Sequence, residues 1–206
     1  PVGAKADFPK LDRHFAGRLE MKLPQIKTVR LTKSYIAPSF NTSREAVYPL
    51  LVLSAYLGEG ETSKLYKKLV LEEKNALGVS VAYDFASRSY GGFSISAMPK
   101  EDVDAKAFET ALDKAVKEAL AEISVEEIEK TKGKMLAGQV YLRDNPNDAA
   151  YIAGSMAAVG MSVEDIENHA DNIRKVSAVD VRKAAKNLFG RAINVTGVIK
   201  PEKEGR

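Results

Sequence analysis

Two histidines, no cysteine and a few carboxylate pairs are the groups from which this 206-residue chain could build a hydrolytic centre. A catalytic zinc takes about three protein ligands and keeps one position open for water. His14 and His169 are separated by most of the chain. Neither lies in HxxEH or HExxH, the spacings that put two imidazoles on one helical face with a glutamate base beside them. His14 stands beside Arg13, and His169 follows Glu167 and Asn168 near a helix, where the expected role is a charge at a helix end. The adjacent carboxylates Glu72–Glu73, Glu101–Asp102 and Glu126–Glu127 fall at charged helix ends or turns. Acid–base work would need one of each pair buried in a cleft with a raised pKa. No GxSxG turn is present, so a serine triad is rejected. Gly58-Glu59-Gly60 ahead of Thr62-Ser63 looks like a phosphate loop, but it has neither the GxxxxGK[ST] spacing nor a preceding strand.

The elements that would position these groups are organised around residues 57–73. An apolar run, Leu50 to Leu57, meets the glycine pair, and Leu65, Tyr66, Leu69 and Val70 then recur at helical spacing. This predicts helix, tight turn, helix, with Lys64, Lys67 and Lys68 on the wet face. Gly58 or Gly60, with both preferred, is expected at positive φ, because a short connection between two helices must reverse sharply. The first helix is firm from Tyr48 to Leu57, with Pro49 tolerated near its start.

Upstream, residues 1–24 show prolines and no sustained period, and read as an arm or interdomain linker. Gln25 to Ser39 reads as a strand. Leu77–Phe85 and Gly92–Met98 alternate apolar and small or polar residues around a six-residue connection, which predicts an antiparallel hairpin. The remainder is mostly helical. Ser124, Ser162 and Ser177 each precede a carboxylate by three residues, the pattern of a helix start. Asn145-Pro146 breaks a long helix, and Ala192–Ile199 forms a last strand. The domain proper is expected over 25–200, with a charged tail over 201–206. Hairpin strands with grouped helices argue α+β with a mostly antiparallel sheet.

Composition limits the function classes. The 31 basic and 28 acidic residues are mixed along the chain for a net charge of +3, which leaves no nucleic-acid footprint. No apolar run approaches the ~20 residues that cross a bilayer. Without cysteine there is neither a disulfide nor a thiolate metal site. The chain begins at Pro1 rather than Met, so it is expected to be a piece of a longer protein.

One resemblance covers most of the chain. Leu57, Gly58, Gly60, Ser63, Lys64, Leu65, Tyr66 and Leu69, followed by Glu73, Leu77, Ser80, Val81, Ala82 and Tyr83, resemble the second domain of the pitrilysin/insulinase family of zinc metallopeptidases. Leu23-Pro24-Gln25 and Tyr35, Ala37, Pro38 and Ser39 fit the same domain. The resemblance implies a sheet of about six strands with helices packed on one face. It implies a parent endopeptidase acting on peptides or unfolded segments, with zinc held by a first domain outside this chain. No cofactor or metal ligand is expected within the chain, and the chain alone is expected to be inactive. The implied partners are that zinc-bearing domain, a second half or subunit closing a clamshell, and the peptide. In the family an Arg and a Tyr from the second domain of the opposing half contact substrate near the zinc. Glu72 and Val79 hold those positions here, which leaves Arg88 and Tyr90, on the hairpin connection, as the substrate-binding candidates. Against those two stand plain alternatives: an exposed arginine, and an aromatic packing at a strand start. The resemblance equally allows a non-catalytic scaffold or partner subunit. An independent binding module is the third reading.

Overall fold

A computed structural model describes residues 16–143, 146–190 and 194–202. His14 lies outside them. The chain runs β1 (Gly17–Leu23), β2 (Arg30–Ala37) and α1 (Arg44–Gly58). A short helix α2 follows, α-wound over Lys64–Tyr66 and π-wound over Lys67–Glu72. The hairpin strands are β3 (Ala76–Asp84) and β4 (Gly91–Pro99). Then come α3 (Ala105–Ala121), α4 (Val125–Arg143), α5 (Pro146–Ala158), α6 (Val163–Glu167), α7 (His169–Lys175), α8 (Ala178–Phe189) and β5 (Val195–Pro201).

The strands make one five-stranded sheet in the order β1-β5-β2-β4-β3. Every pairing is antiparallel except β1 with β5. The fold is therefore α+β and mostly antiparallel, with one strand fewer among the described residues than the resemblance implied. The hairpin has the expected pairing, with Val79 opposite Ala97 and Val81 opposite Ile95. The irregular reading of 1–24 needs correction at Gly17–Leu23. These residues form a strand because Arg18, Glu20 and Lys22 alternate with Leu19, Met21 and Leu23, and because β5 offers a parallel edge. That partner is about 180 residues away, so no local signal announces the pairing.

The helices lie on one side. Leu31, Tyr35 and Ala37 of β2 and Phe93, Ile95 and Ala97 of β4 are buried beneath Leu50, Leu53 and Leu57 of α1, Phe108 and Leu112 of α3, and Val181 and Leu188 of α8. Alternation in the strands and 3.6-residue recurrence in the helices put these residues on facing surfaces. Lys33 is buried on the same side, where its ammonium meets the Asp113 carboxylate at 2.5 Å and Glu109 at 3.4 Å. Burial of a lysine is tolerable only with such partners.

The three serine starts behave as their spacing predicts. Ser162 with Asp165 and Ser177 with Asp180 form complete capping boxes, and Ser124 accepts from the Glu127 amide at 3.3 Å. Donors at the helix starts hold the Asp165 and Asp180 carboxyls below the usual carboxylate range: the Ser162 amide leads for Asp165, the Ser177 hydroxyl for Asp180. Pro49 sits in the second turn of α1, further in than expected, and helix α1 begins earlier, at Arg44.

The two glycines serve different ends. Gly60 has φ +73° and makes the reversal. Gly58 stays helical as the last residue of α1 and is needed for packing instead. A Cβ there would sit 2.6 Å from Val81 Cβ and nearer still to the Val81 nitrogen and Cγ2. The expectation that at least one of the two takes positive φ is met at Gly60, and its extension to both fails at Gly58.

Candidate functional site

The connection from β3 to β4, residues 85–90, carries Arg88 and Tyr90, and the turn between β2 and α1 holds it in place. Phe40 N–H donates to the Phe85 carbonyl at 2.9 Å. The Asn41 side-chain amide donates to the Ser87 carbonyl at 3.0 Å and to the Val159 carbonyl at 2.7 Å. Buried Ser39 donates its hydroxyl to the Ser89 carbonyl, and Tyr83 donates to the Pro38 carbonyl at 2.5 Å. Burial raises the pKa of the Tyr83 phenol well above its ordinary value, so it stays protonated and able to donate. Beneath the loop lies a small second core of Phe40, Val47 and Met161, packed with Phe85, Met156 and Val159. A loop fastened this way presents its side chains in fixed directions.

Those directions diverge. Arg88 is exposed and reaches the Ala158 carbonyl at 3.4 Å, the last residue of α5. A cation suits that negative helix end. Tyr90 is half-buried and lines a cavity of about 310 Å³ with Ile36, Pro38, Ser43, Leu50 and Leu188. The structure therefore seats the two candidates against different neighbours, one at α5 and one between α1 and α8.

Glu72 and Val79 occupy the two places where the resemblance sets an Arg and a Tyr. Glu72 ends the π-wound turn, exposed, 3.9 Å from Lys68. Val79 lies opposite buried Ala97 and packs against the core. Neither offers a cationic or phenolic group. The π turn itself had no sequence signal. It leads into Lys74 at φ +54°, where Asn75 N–H bonds back to the Leu69 carbonyl at 3.1 Å.

His169 is not the helix-end charge that its sequence context suggested. It opens α7, at the positive end, and its ring stacks on Phe85 at 5.8 Å and leans on Tyr48 at 5.4 Å. Its Nδ1 is buried without a hydrogen-bond partner, and burial pushes its pKa below the ordinary histidine value. The neutral ring is a packing plate. Among the described residues no three His, Asp or Glu side chains converge where an ion could sit. The surroundings of His169 are aromatic, so the residues present here do not fit a zinc ion.

A family profile described as the Peptidase M16 inactive domain matches residues 4–135. Among solved structures, a protease from Helicobacter pylori superposes with a TM-score of 0.80 at 19% identity, over 94% of this chain and 45% of that one. The inactive peptidase domain of a protein described as a zinc protease, from Bordetella parapertussis, gives 0.70 at 20% identity over 89% and 97% of the two chains. A chain of complex III2 from Candida albicans gives 0.71 at 11% identity over 91% and 46%. The chain thus spans about 45% of the length of the Helicobacter protease. The comparison with curated proteins returned no match. At these identities the structural likenesses speak for the fold.

Proposed function

The chain belongs to the M16 peptidase family as an inactive domain, and from that premise we propose that it is the non-metal half-domain of a zinc endopeptidase. In this reading it walls a chamber in which peptides or unfolded segments are cut, and it packs against a zinc-bearing domain of the same parent. The observation that carries the reading is the extent of the family match, which takes in the glycine turn, the π-wound helix and the hairpin together. The domain's part in catalysis is to bind and orient. Zinc in the first domain would polarise the scissile carbonyl and supply a nucleophilic water. Arg88 offers a cationic fork to a peptide carbonyl or carboxylate, and Tyr90 an aromatic edge, from a loop held rigidly by Ser39 and Asn41. Arg88 is also engaged by the Ala158 carbonyl and Tyr90 lines the cavity beside α8, so their contribution is to substrate affinity rather than to the chemical step.

A second reading, a non-catalytic scaffold or partner subunit, is favoured by one specific observation. Glu72 and Val79 replace the pair that the family uses on substrate. The test is the coding sequence upstream of Pro1. An intact HxxEH in a preceding domain supports the peptidase. A preceding domain in which that motif is broken supports the scaffold, and no such domain at all would leave an independent binding module.

A further inference from the structure

The cavity beside Tyr90 lies where the end of β2 meets the start of α1 and the end of α8. Two alanines make room for it. Ala46 lies one turn before Leu50 on α1, and Ala184 one turn before Leu188 on α8, so each pair shares a helix face. All four line the cavity, with Leu50 at 2% and Leu188 at 8% exposure as its inner wall. Its volume is about 310 Å³. Protein interiors are packed so closely that voids larger than a water molecule are few, and one water takes about 30 Å³ of the liquid. An apolar cavity of about 150 Å³ already holds a benzene ring. This one has room for a whole aromatic side chain and the peptide unit that carries it.

The polar groups of the lining are neutral and come from three segments. Ser43 precedes α1, but its hydroxyl makes no capping bond, whereas Ser162 and Ser177 accept from amides of the helices they start. Exposed Asn187 brings an amide from α8, and half-buried Tyr90 a phenol from the loop. A hydroxyl, a phenol and a primary amide together donate and accept hydrogen bonds, as a peptide backbone does. No Lys, Arg, Asp or Glu lines the cavity among the described residues. An ionised side chain placed against Leu50 and Leu188 would lose its water without gaining a partner. The walls are also fixed in advance. Gly91 pairs with Ala37 in the β2–β4 ladder and buried Ser39 holds the Ser89 carbonyl, so Tyr90 is anchored on both sides. A site formed before its ligand arrives loses little affinity to its own ordering.

We propose that this cavity receives one large neutral side chain, aromatic or branched aliphatic, of a bound peptide or unfolded segment. The proposal rests on the peptidase reading above, in which that segment is the substrate, and it adds a preference for what the segment carries. The exposures set the orientation. Leu50 and Leu188 close the inner end and Asn187 stands at the open one, so the side chain enters first and the backbone stays at the polar end. A free apolar molecule would leave those polar groups to water, whereas a peptide brings its own N–H and C=O to them. The lining refuses a charged side chain, and glycine or alanine would leave most of the volume unfilled.

The experiment uses the whole parent and a short peptide of Gly, Ser and Asn that carries a single photo-leucine. Zinc content and chelator-sensitive cleavage are measured first. Chelator then keeps the peptide whole during irradiation, and the cross-linked products are mapped by mass spectrometry. The expected result is cross-links to α1 and α8 around Leu50 and Leu188, and to Tyr90. The same peptide with Phe in place of photo-leucine should compete at least about tenfold better than one with Asp, because the cavity buries an apolar side chain and excludes a charged one. Ala46→Leu and Ala184→Met fill the cavity with residues that favour a helix, and each should lower the yield by about tenfold or more. Cross-links only elsewhere, to residues 1–15 or to a second copy, equal competition by the Asp peptide, or an undiminished yield in either folded variant would overturn the proposal. Zinc and cleavage without the expected cross-links refute the cavity and leave the peptidase reading standing. The cross-links without zinc or cleavage support the cavity and remove that reading. Should one variant fail to fold, the other carries the same test.

Discussion

Replacing Gly58 by alanine tests whether α1 is locked against β3 as closely as the structure shows. The new methyl would lie 2.6 Å from Val81 Cβ, with the Val81 nitrogen and Cγ2 nearer still. Ordinary carbon–carbon contact is about 3.5–4.0 Å, so α1 and β3 must separate by roughly 1 Å. A rotamer change cannot relieve this, because one of the clashing atoms is backbone and β3 is held by its ladder to β4. Overpacking of that kind costs about 1–3 kcal/mol. The helical preference of alanine over glycine returns at most about 1 kcal/mol, less at a terminal residue. The net expectation is a loss of about 2 kcal/mol, or a fall in Tm of about 4–8 °C for a domain of this size. Urea and thermal unfolding followed by circular dichroism measure it. Adding Val81→Ala removes the Cγ2 clash but not that with the nitrogen, so the double variant should recover part of the loss and depart from additivity. A Gly58→Ala protein within about 0.5 kcal/mol of the parent sequence would refute the close approach.

Three further outcomes are expected. Lys74 sits at φ +54°, so Lys74→Gly should stabilise by about 0.5 kcal/mol despite glycine's entropy; a lower urea midpoint would contradict this. Because burial holds the folded-state pKa of His169 below its unfolded value, the unfolded chain takes up the proton first as pH falls; the stability that His169 provides is complete above about pH 6.5 and is lost below it, by at most about 1.4 kcal/mol per pH unit. His169→Phe should flatten that slope, and an unchanged pH profile of unfolding would show that the ring is not protected. In an active parent, Tyr90→Ala together with Arg88→Ala should raise KM roughly fivefold with little change in kcat, the result of removing about 1 kcal/mol of uniform binding; an effect on kcat alone would place these residues elsewhere in the reaction.

What could be read from the sequence was what is decided locally. The serine caps, the hairpin and the glycine reversal depend on residues within a few positions of one another, and each is present. Strand β1 escaped because its partner is β5 and its alternation follows a proline-marked stretch. The role of Gly58 escaped because a close approach to Val81 leaves no mark on the chain around it. His169 looked exposed because its neighbours in sequence are polar. Phe85 and Tyr48, which enclose it, come from β3's connection and α1. At the candidate site the sequence could nominate Arg88 and Tyr90, but not that one turns to α5 and the other to the cavity beside α8.

The central claim is a division of labour, with zinc chemistry in a neighbouring domain and binding surface in this one. The most direct measurement compares the parent protein with residues 1–206 alone, by elemental analysis for zinc and by cleavage of a quenched fluorescent peptide with and without a chelator. The account predicts stoichiometric zinc and chelator-sensitive cleavage in the parent, and neither in residues 1–206. Stoichiometric zinc together with chelator-sensitive cleavage in residues 1–206 would contradict it.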